Sequence, residues 1–504
     1  METLDTNNWL LTALVFAPLA GALLMALIPE KEEDAQKQWA ILTSLVTLGL
    51  GVFLLFDFDY DQAGKLQNFV DMDWIEVIGA GYTMGVDGMS LSLALVSALV
   101  FVAATAWPMK LHDARAYYAW MAFLAGVSIG LFVTLDLIVF YVFFDLSLVG
   151  MYFLIGRWGH GDAQHAALKF FVYTLAGSLL ILIGIIVMAL NMPTLTFDMR
   201  AMIDNPPLAA AGVVPGLVFL AFVIGFGIKT PVFPVHTWLP PAHVNAPGPA
   251  SAILAGVLLK MGTYGLIRIP LQMMPETFAR WALPLAIIGV VSIIWGSIVA
   301  FAQENLKRRI AYTSVNHMGY TVLGIAVAGS ALGSETARQL ALTGAVVEMI
   351  AHALITGALF LIAGSVWQRA EDYHLPNFGG LAGTAPRLTG AATLAAFASL
   401  GLPGLAGFVA ELQIFVGAFG VYPWLAVIGL LGILITAALF LRMLRQMFFG
   451  DLPAERKGFT DLNRTETVLL TVLLALVVLI GIWPTWLLLL IDAPSLIPAI
   501  GAGG

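Results

Sequence analysis

Cysteine is missing from this 504-residue chain. Thiolate ligation of an iron–sulfur cluster and disulfide bonding are thereby excluded, whereas a metal held by histidine and carboxylate is not. Charge is the next scarcity. Only 11% of residues are Asp, Glu, Lys or Arg, against about 25% in a soluble domain. The formal net charge of −8 is scattered through the chain, and without a basic patch no nucleic-acid partner is expected. Nor does a cationic stretch precede the first apolar segment: residues 1 to 8 read METLDTNN, so no cleaved signal peptide is expected. What is abundant is apolar. Sixty per cent of residues are hydrophobic and the mean hydropathy is +0.92, which describes a polytopic protein embedded in the lipid bilayer.

A spanning helix needs about 20 mostly apolar residues. Fourteen segments qualify, near 9–28, 39–56, 84–107, 115–134, 136–156, 165–190, 213–235, 249–270, 281–303, 308–329, 340–365, 389–417, 424–448 and 466–492. The expected fold is an all-α membrane domain over 1–504 with fourteen transmembrane helices. Connections are short apart from 57–83, 191–212 and 366–388. An even number of spans puts both termini on one side, and lysine and arginine choose which, because they accumulate in cytoplasmic loops. The odd-numbered loops hold 15 of them and the even-numbered loops 5. Both termini are therefore expected on the non-cytoplasmic side of a bacterial-type cytoplasmic membrane. Of the 23 Lys plus Arg, 23 − 20 = 3 remain, namely Lys169, Lys229 and Lys260. The last two lie deep in apolar sequence.

Two spans contain helix breakers well inside their apolar stretch. Pro231 and Pro234 interrupt 213–235, and the run SLGLPGLAGFVAEL surrounds Pro403 in 389–417. The two are five spans apart, and an odd offset reverses topology. Two inverted five-helix repeats are expected, 115–270 and 281–448, flanked by 1–107 and 466–492. In such an arrangement broken helices face a midplane site, because irregular backbone survives at that depth only inside protein or beside water.

Six ionisable side chains fall at mid-helix or beside a break in the apolar spans: Asp145, Lys229, Lys260, His317, His352 and Glu411. A central Asp or Lys costs roughly 3 kcal/mol even on the lenient insertion scale. Six isolated ones would cost on the order of 15 kcal/mol, as much as the whole stability of an ordinary domain. They must face one another or water. Their spread along the chain describes a line, an acid–lysine–lysine–histidine–histidine–acid relay for protons. Desolvation disfavours a buried charge and an opposite charge restores it, so moving an acid relative to a lysine moves the proton. At about 4 Å and an effective dielectric near 20, an ion pair is worth about 4 kcal/mol. The prolines behind Lys229 supply free carbonyls and a joint that bends, and His236 and His243 extend polar capacity towards one surface.

Plainer readings stand beside these. A buried lysine and Asp145 also suit a structural ion pair, and a helical histidine often only packs. Glu348 and His352, four apart on one helix face, suit a simple pair. His112, His160 and His374 fall in loops, where solvation is expected. HTWLPPAH at 236–243 spaces its histidines seven apart across prolines and offers no second carboxylate, so no metal site is expected. GLPGLAGFVAEL follows no strand, which disfavours a nucleotide cradle.

With these residues in view, the chain resembles the M-type (chain 4) antiporter-like subunits of proton-translocating NADH:quinone oxidoreductase, respiratory complex I. The resemblance runs nearly end to end, on GYTMGVDGMSL (81–91), FYVFFDLSLVGMYFLIGRWG (140–159), PVHTWLPPAH (234–243), ILAGVLLKMGTYGLIRIPLQMMPE (253–276), NLKRRIAYTSVNHMGY (305–320) and LGLPGLAGFVAEL (400–412). It implies a proton-translocating subunit of a larger enzyme, driven by quinone reduction elsewhere, and no redox cofactor in this chain. NADH, FMN, iron–sulfur clusters and quinone would belong to other subunits, and the L- and N-type antiporter-like subunits would be membrane partners. Carried over position by position, the family's midplane groups fall on Asp145, Lys229, Lys260, His317, His352 and Glu411. The chain reaches GAGG without the lateral helix of the L type, which fits M. Three departures stand out. Asp145 replaces the usual glutamate and is shorter by about an ångström. Pro241 and Asn245 stand where the family has acids, which bears on the weaker candidate His236. Glu348 occupies a position expected to hold a neutral amide, adding an acid beside His352 that would compensate as a relay group. Two other readings remain open here: a subunit of a multi-subunit Na+/H+ antiporter or membrane-bound hydrogenase, and a structural subunit that conducts nothing.

Overall fold

The computed structural model describes residues 9–209, 212–491 and 493–498; the polar N-terminal octet and the GAGG end lie outside them. In hydrocarbon each backbone N–H and C=O must be satisfied within its own segment, and the apolar runs accordingly form helices. Every predicted span coincides with one: Leu10–Leu27, Glu33–Asp57, Gly88–Ala106, Ala114–Val133, Leu137–Trp158, Ala163–Leu190, Val213–Lys229, Gly248–Leu271, Pro275–Ala302, Leu306–Ala328, Glu335–Ala370, Pro386–Ser399 with Ala406–Val421, Pro423–Phe448 and Arg464–Ile482. Eleven of these are long and apolar enough to cross a membrane, while Val213–Lys229 and Ala406–Val421 are shorter. Helix starts follow local chemistry. Asp87 and Asn463 build capping boxes with Ser90 and Glu466, and Asp136 accepts from the amides of Ile138 and Val139, each cap satisfying N–H groups the helix leaves free.

Burial separates an inner set of helices from an outer ring. The apolar windows of Gly248–Leu271 and Glu335–Ala370 are completely buried, whereas Glu33–Asp57, Ala163–Leu190 and Pro423–Phe448 turn most of theirs outward. Outward leucine, valine and phenylalanine are what lipid or a neighbouring apolar chain solvates. The inner helices meet through glycine. A Cβ on Gly296 would collide with the Asn316 backbone, one on Gly319 with Gly289 and Ile293, and one on Gly344 with the backbone of Ala410 and Ile414. Backbones in direct contact replace side-chain layers at these crossings, and this is how the helices carrying the buried polar groups come close together.

The loops sort by parity. On one surface Arg115 pairs with Glu30 at 2.5 Å, Arg157 with Asp113, and Arg456 with Asp372 at 2.7 Å. On the other, Arg200 pairs with Asp71 at 3.0 Å and Ser330 bonds Tyr422 at 2.9 Å. Odd-numbered loops thus join odd-numbered loops, and even join even. The long connection 57–83 contributes most of an antiparallel hairpin of β1 (Gln67–Ile75) and β2 (Ala80–Val86). Its turn needs Gly79, at φ +70° and against the Leu195 backbone, where a side chain would not fit. The glycines at 79 and 81 between two β-prone runs are a hairpin signal masked by the surrounding hydropathy.

The glycine crossings make a stability prediction. Gly344→Val should destabilise the protein by about 1–3 kcal/mol through overpacking, seen as a lower Tm in detergent. Gly390→Ala, at a helical position with open space around it, should leave Tm unchanged or raise it.

Candidate functional site

Both predicted breaks occur, and each carries an ionisable group. Val213–Lys229 ends at its lysine; the chain then turns through 230–238 before the short helix Leu239–Asn245. The Trp238 indole donates to the Ile228 carbonyl at 2.9 Å, and the Phe233 amide donates to Ser292 Oγ at 2.9 Å, so part of the polarity exposed by the prolines is satisfied sideways. In the second break, between Ser399 and Ala406, Gly401 and Gly404 adopt φ of +75° and +89°. The Glu411 carboxylate folds back against Gly401, in space a Cβ would need. Lysine at the carbonyl end of a half-helix also has the sign the helix dipole favours.

Between the breaks runs a buried file. Lys260 Nζ donates to the Ala255 carbonyl at 2.6 Å and lies 2.6 Å from His352 Nδ1. Ala255 belongs to a π-helical turn, 254–258, the kind of local widening common at functional sites. An ammonium and an imidazolium cannot bond each other, so the Lys260–His352 contact holds one proton fewer than two full donors would. The His352 and His317 rings are 5.6 Å apart. His317 Nδ1 is 3.0 Å from Glu348 Oε1, an ion-pair separation but misaligned as a hydrogen bond, and its Nε2 meets Ser399 Oγ at 2.9 Å. Ser399 closes the half-helix before the second break, and Tyr320 sits within electrostatic reach of both Glu348 and Glu411. Lys229, Lys260, His317, Glu348, His352 and Glu411 are each at most 4% exposed.

Of the eight predicted site residues, the structure places His317, Glu348, Lys260 and His352 in this file, with Glu411 at its end. Lys229 lies at the first break, beside a residue that touches the Lys260 helix. Thr230, fully buried, presses against Gly262 of the Lys260 helix and has an unpartnered hydroxyl. Asp145 and Lys229 are within electrostatic reach but not in ion-pair contact. Lys229 instead donates to Ser147 Oγ at 3.1 Å and lies 4.9 Å from the Phe144 ring centre. Half-buried Asp145 sits beside Tyr141, with one carboxylate oxygen unpartnered. His236 stands off the file, accepting from Trp295 Nε1 at 3.2 Å and packing on Phe233.

Three loop assignments are corrected by burial. Arg268 is 1% exposed and forms an ion pair with Asp87 while donating to Tyr264 Oη at 3.1 Å. Lys307 is fully buried. His160, expected to be solvated, stacks on Trp367 at 4.1 Å. Helical spacing carried a signal for two of these: Arg268 shares a face with Lys260 and Tyr264, and Lys307 one with Ser314 and His317.

Broken helices flanking a buried lysine–histidine–carboxylate file are the architecture of membrane subunits that move ions. Comparison with known proteins agrees. The family model described as NADH:quinone oxidoreductase/Mrp antiporter, transmembrane, matches residues 134–436. NAD(P)H-quinone oxidoreductase chain 4 2 of Thermosynechococcus vestitus is 38% identical, over 94% of this chain and 89% of its own. NADH-quinone oxidoreductase subunit M of Rhodobacter capsulatus is 36% identical, over 94% and 93%. Among solved structures, a chain of respiratory complex I from Thermus thermophilus superposes with a TM-score of 0.85 at 27% identity, over 96% of this chain and 99% of that one. A chain of the Mrp complex from Dietzia, at 20% identity and a TM-score of 0.83, shares the fold. This chain belongs to the NADH:quinone oxidoreductase/Mrp antiporter family of membrane subunits.

The buried pair beside the site is testable. Arg268→Met should cost about 3–5 kcal/mol by stranding Asp87, and the double variant with Asp87→Asn should recover part of that loss. Additive losses in a double-mutant thermal-stability cycle would contradict a coupled pair.

Proposed function

We propose that the chain is the M-type antiporter-like subunit of an H+-translocating NADH:quinone oxidoreductase, conducting protons while quinone is reduced in other subunits. Its relatives' names support the assignment to that enzyme, and the contact that carries the mechanism is Lys260 Nζ to His352 Nδ1 at 2.6 Å. Two buried nitrogen bases sharing a proton conduct hydrogen ions and offer nothing to a sodium ion, which needs oxygen ligands. The order of groups is Asp145, Lys229, Lys260, His352, His317, Glu348 and Glu411. Asp145 tunes Lys229 by approaching or leaving it, a displacement that the absent ion pair leaves room for. Lys260 joins the two halves. His317 hands protons to Glu348, and Glu411 exchanges them beyond the second break.

The matched breaks and the sorting of loops by parity support two inverted repeats, 115–270 and 281–448. The lysine and arginine excess in the odd-numbered loops supports a bacterial-type cytoplasmic membrane with both termini on the non-cytoplasmic side. Outward apolar faces support packing against the L- and N-type subunits within the bilayer. Cofactors, NADH, FMN, iron–sulfur clusters and quinone alike, belong to other subunits of this assembly.

In the purified complex, Lys229→Ala should lower protons pumped per quinone reduced, and Glu348→Gln should do so as well, because the amide cannot take up a proton. Wild-type pumping and quinone reduction in Lys229→Ala would remove the relay. Asp145→Glu, one methylene longer, should retain pumping where Asp145→Asn loses it.

A further inference from the structure

Away from the buried file, the half-helix Pro386–Ser399 and the helix Arg464–Ile482 flank a groove of about 360 Å³. Its walls are apolar, with Leu394 on one side and Leu470, Leu474 and Val478 on the other. Gly390 keeps it open, because a Cβ there would meet nothing within 4 Å. Both helices start at the surface rich in lysine and arginine, where the Arg387 amide donates to the Asp461 carboxylate at 3.0 Å. Along the second helix the groove runs from Thr467 to Val478. That is 478 − 467 = 11 residues, or roughly 16 Å, about one leaflet of a hydrocarbon core of roughly 30 Å.

The end of the groove at that surface is positive. Arg387 lines it, exposed, and its guanidinium makes one weak bond, from Nη1 to the Leu462 carbonyl at 3.4 Å. The neighbouring acid is already engaged: Asp461 also accepts from the amides of Leu388 at 3.0 Å and Leu462 at 2.8 Å. It is not in ion-pair contact with the guanidinium. Arg464, exposed, begins the second helix at the same end. A cationic mouth over an apolar trough one leaflet deep is complementary to a lipid with an anionic headgroup, since guanidinium pairs phosphate through several N–H donors. A neighbouring transmembrane helix fits worse. About 10 Å across and 16 Å long, it would fill on the order of 1,000 Å³, well beyond what the groove encloses, and it would bring no anion to Arg387.

We propose that this groove binds one anionic phospholipid from the leaflet at the lysine- and arginine-rich surface, its phosphate at Arg387 and one acyl chain laid past Gly390. The site stands independently of the relay. Its occupant backs the half-helix that ends at Ser399, the residue bonded to His317 at 2.9 Å.

The test places the intact complex in phosphatidylcholine nanodiscs with a trace of phosphatidylglycerol carrying a photoreactive group on its acyl chain, and maps the labelled residues by mass spectrometry. Label should fall on 390–394 and 470–478, and photoreactive phosphatidylcholine should label them about fivefold less, the discrimination expected of one basic residue. Arg387→Gln should bring phosphatidylglycerol down to the phosphatidylcholine level. Gly390→Leu, whose side chain occupies the groove, should remove labelling by both. Excess unlabelled phosphatidylglycerol should compete and excess inorganic phosphate should not; competition by phosphate instead assigns Arg387 to the free anion and overturns the lipid. Equal labelling by the two lipids overturns the headgroup site, and undiminished labelling in Gly390→Leu overturns the groove. Absence of label from both segments means that a neighbouring chain covers them, which also overturns the proposal. Should either variant fail to assemble, the comparison of the two lipids on the unaltered complex decides.

Discussion

Taking a charge out of water costs several kcal/mol per ion even after the protein relaxes, and a membrane interior offers no solvent to recover it. The contact between Lys260 and His352 meets that constraint by letting one proton serve two bases at 2.6 Å. The rest of the core is arranged to make this contact possible. Both of its helices have completely buried apolar windows, and the π-helical turn before Lys260 presents the Ala255 carbonyl to the same ammonium. Glycine crossings at Gly319 and Gly344 draw the neighbouring helices to backbone contact. That contact brings His317 and Glu411 towards the file. Stability and the proposed conduction therefore draw on the same side chains.

The breaks give the file its two ends. An unbroken helix at Lys229 would bury every carbonyl in its own ladder, and the prolines prevent that. The freed polarity is partly taken up by the Trp238 indole and Ser292, which fixes the break in place. At the other end, two glycines with positive φ let the chain turn so that the Glu411 carboxylate lies against Gly401. Ser399, the last residue before that turn, bonds His317. A change of geometry in the second break is thereby felt directly by a histidine of the file. Loose backbone joints tied to titratable groups are the elements through which a conformational change reaches a proton.

Much of the site was legible because hydrocarbon is an unforgiving solvent. Asp145, Lys229, Lys260, His317, His352 and Glu411 stood out as ionisable residues in apolar runs, and proline marked where two helices must fail. Legibility ended where depth and direction matter. Arg268 and Lys307 were assigned to loops because they sit near span ends, yet Arg268 is satisfied by Asp87 from a distant helix and Lys307 by carbonyl and hydroxyl oxygens. His160 was taken as solvated because nothing in its own neighbourhood of sequence announces Trp367, some two hundred residues away. His236 shares a motif with His243 but turns to Trp295 instead of the file. The hairpin over β1 and β2 was hidden because β1 is buried at one end and exposed along the rest, with no alternation to mark it.

The sequence by itself determined that this is a helical membrane protein, roughly where its helices run, where two of them break, and which side chains cannot be left alone in lipid. Those properties depend on local transfer energies and on backbone chemistry, which each segment carries with it. Only the tertiary structure decided which buried groups meet, that Asp145 stands out of ion-pair contact with Lys229, and that Lys307 is buried against the Ala246 carbonyl and Ser251. Such pairings depend on which helices cross at their glycines and at what angle. Crossings of that kind arise from contacts between residues far apart in the chain, and no local pattern encodes them.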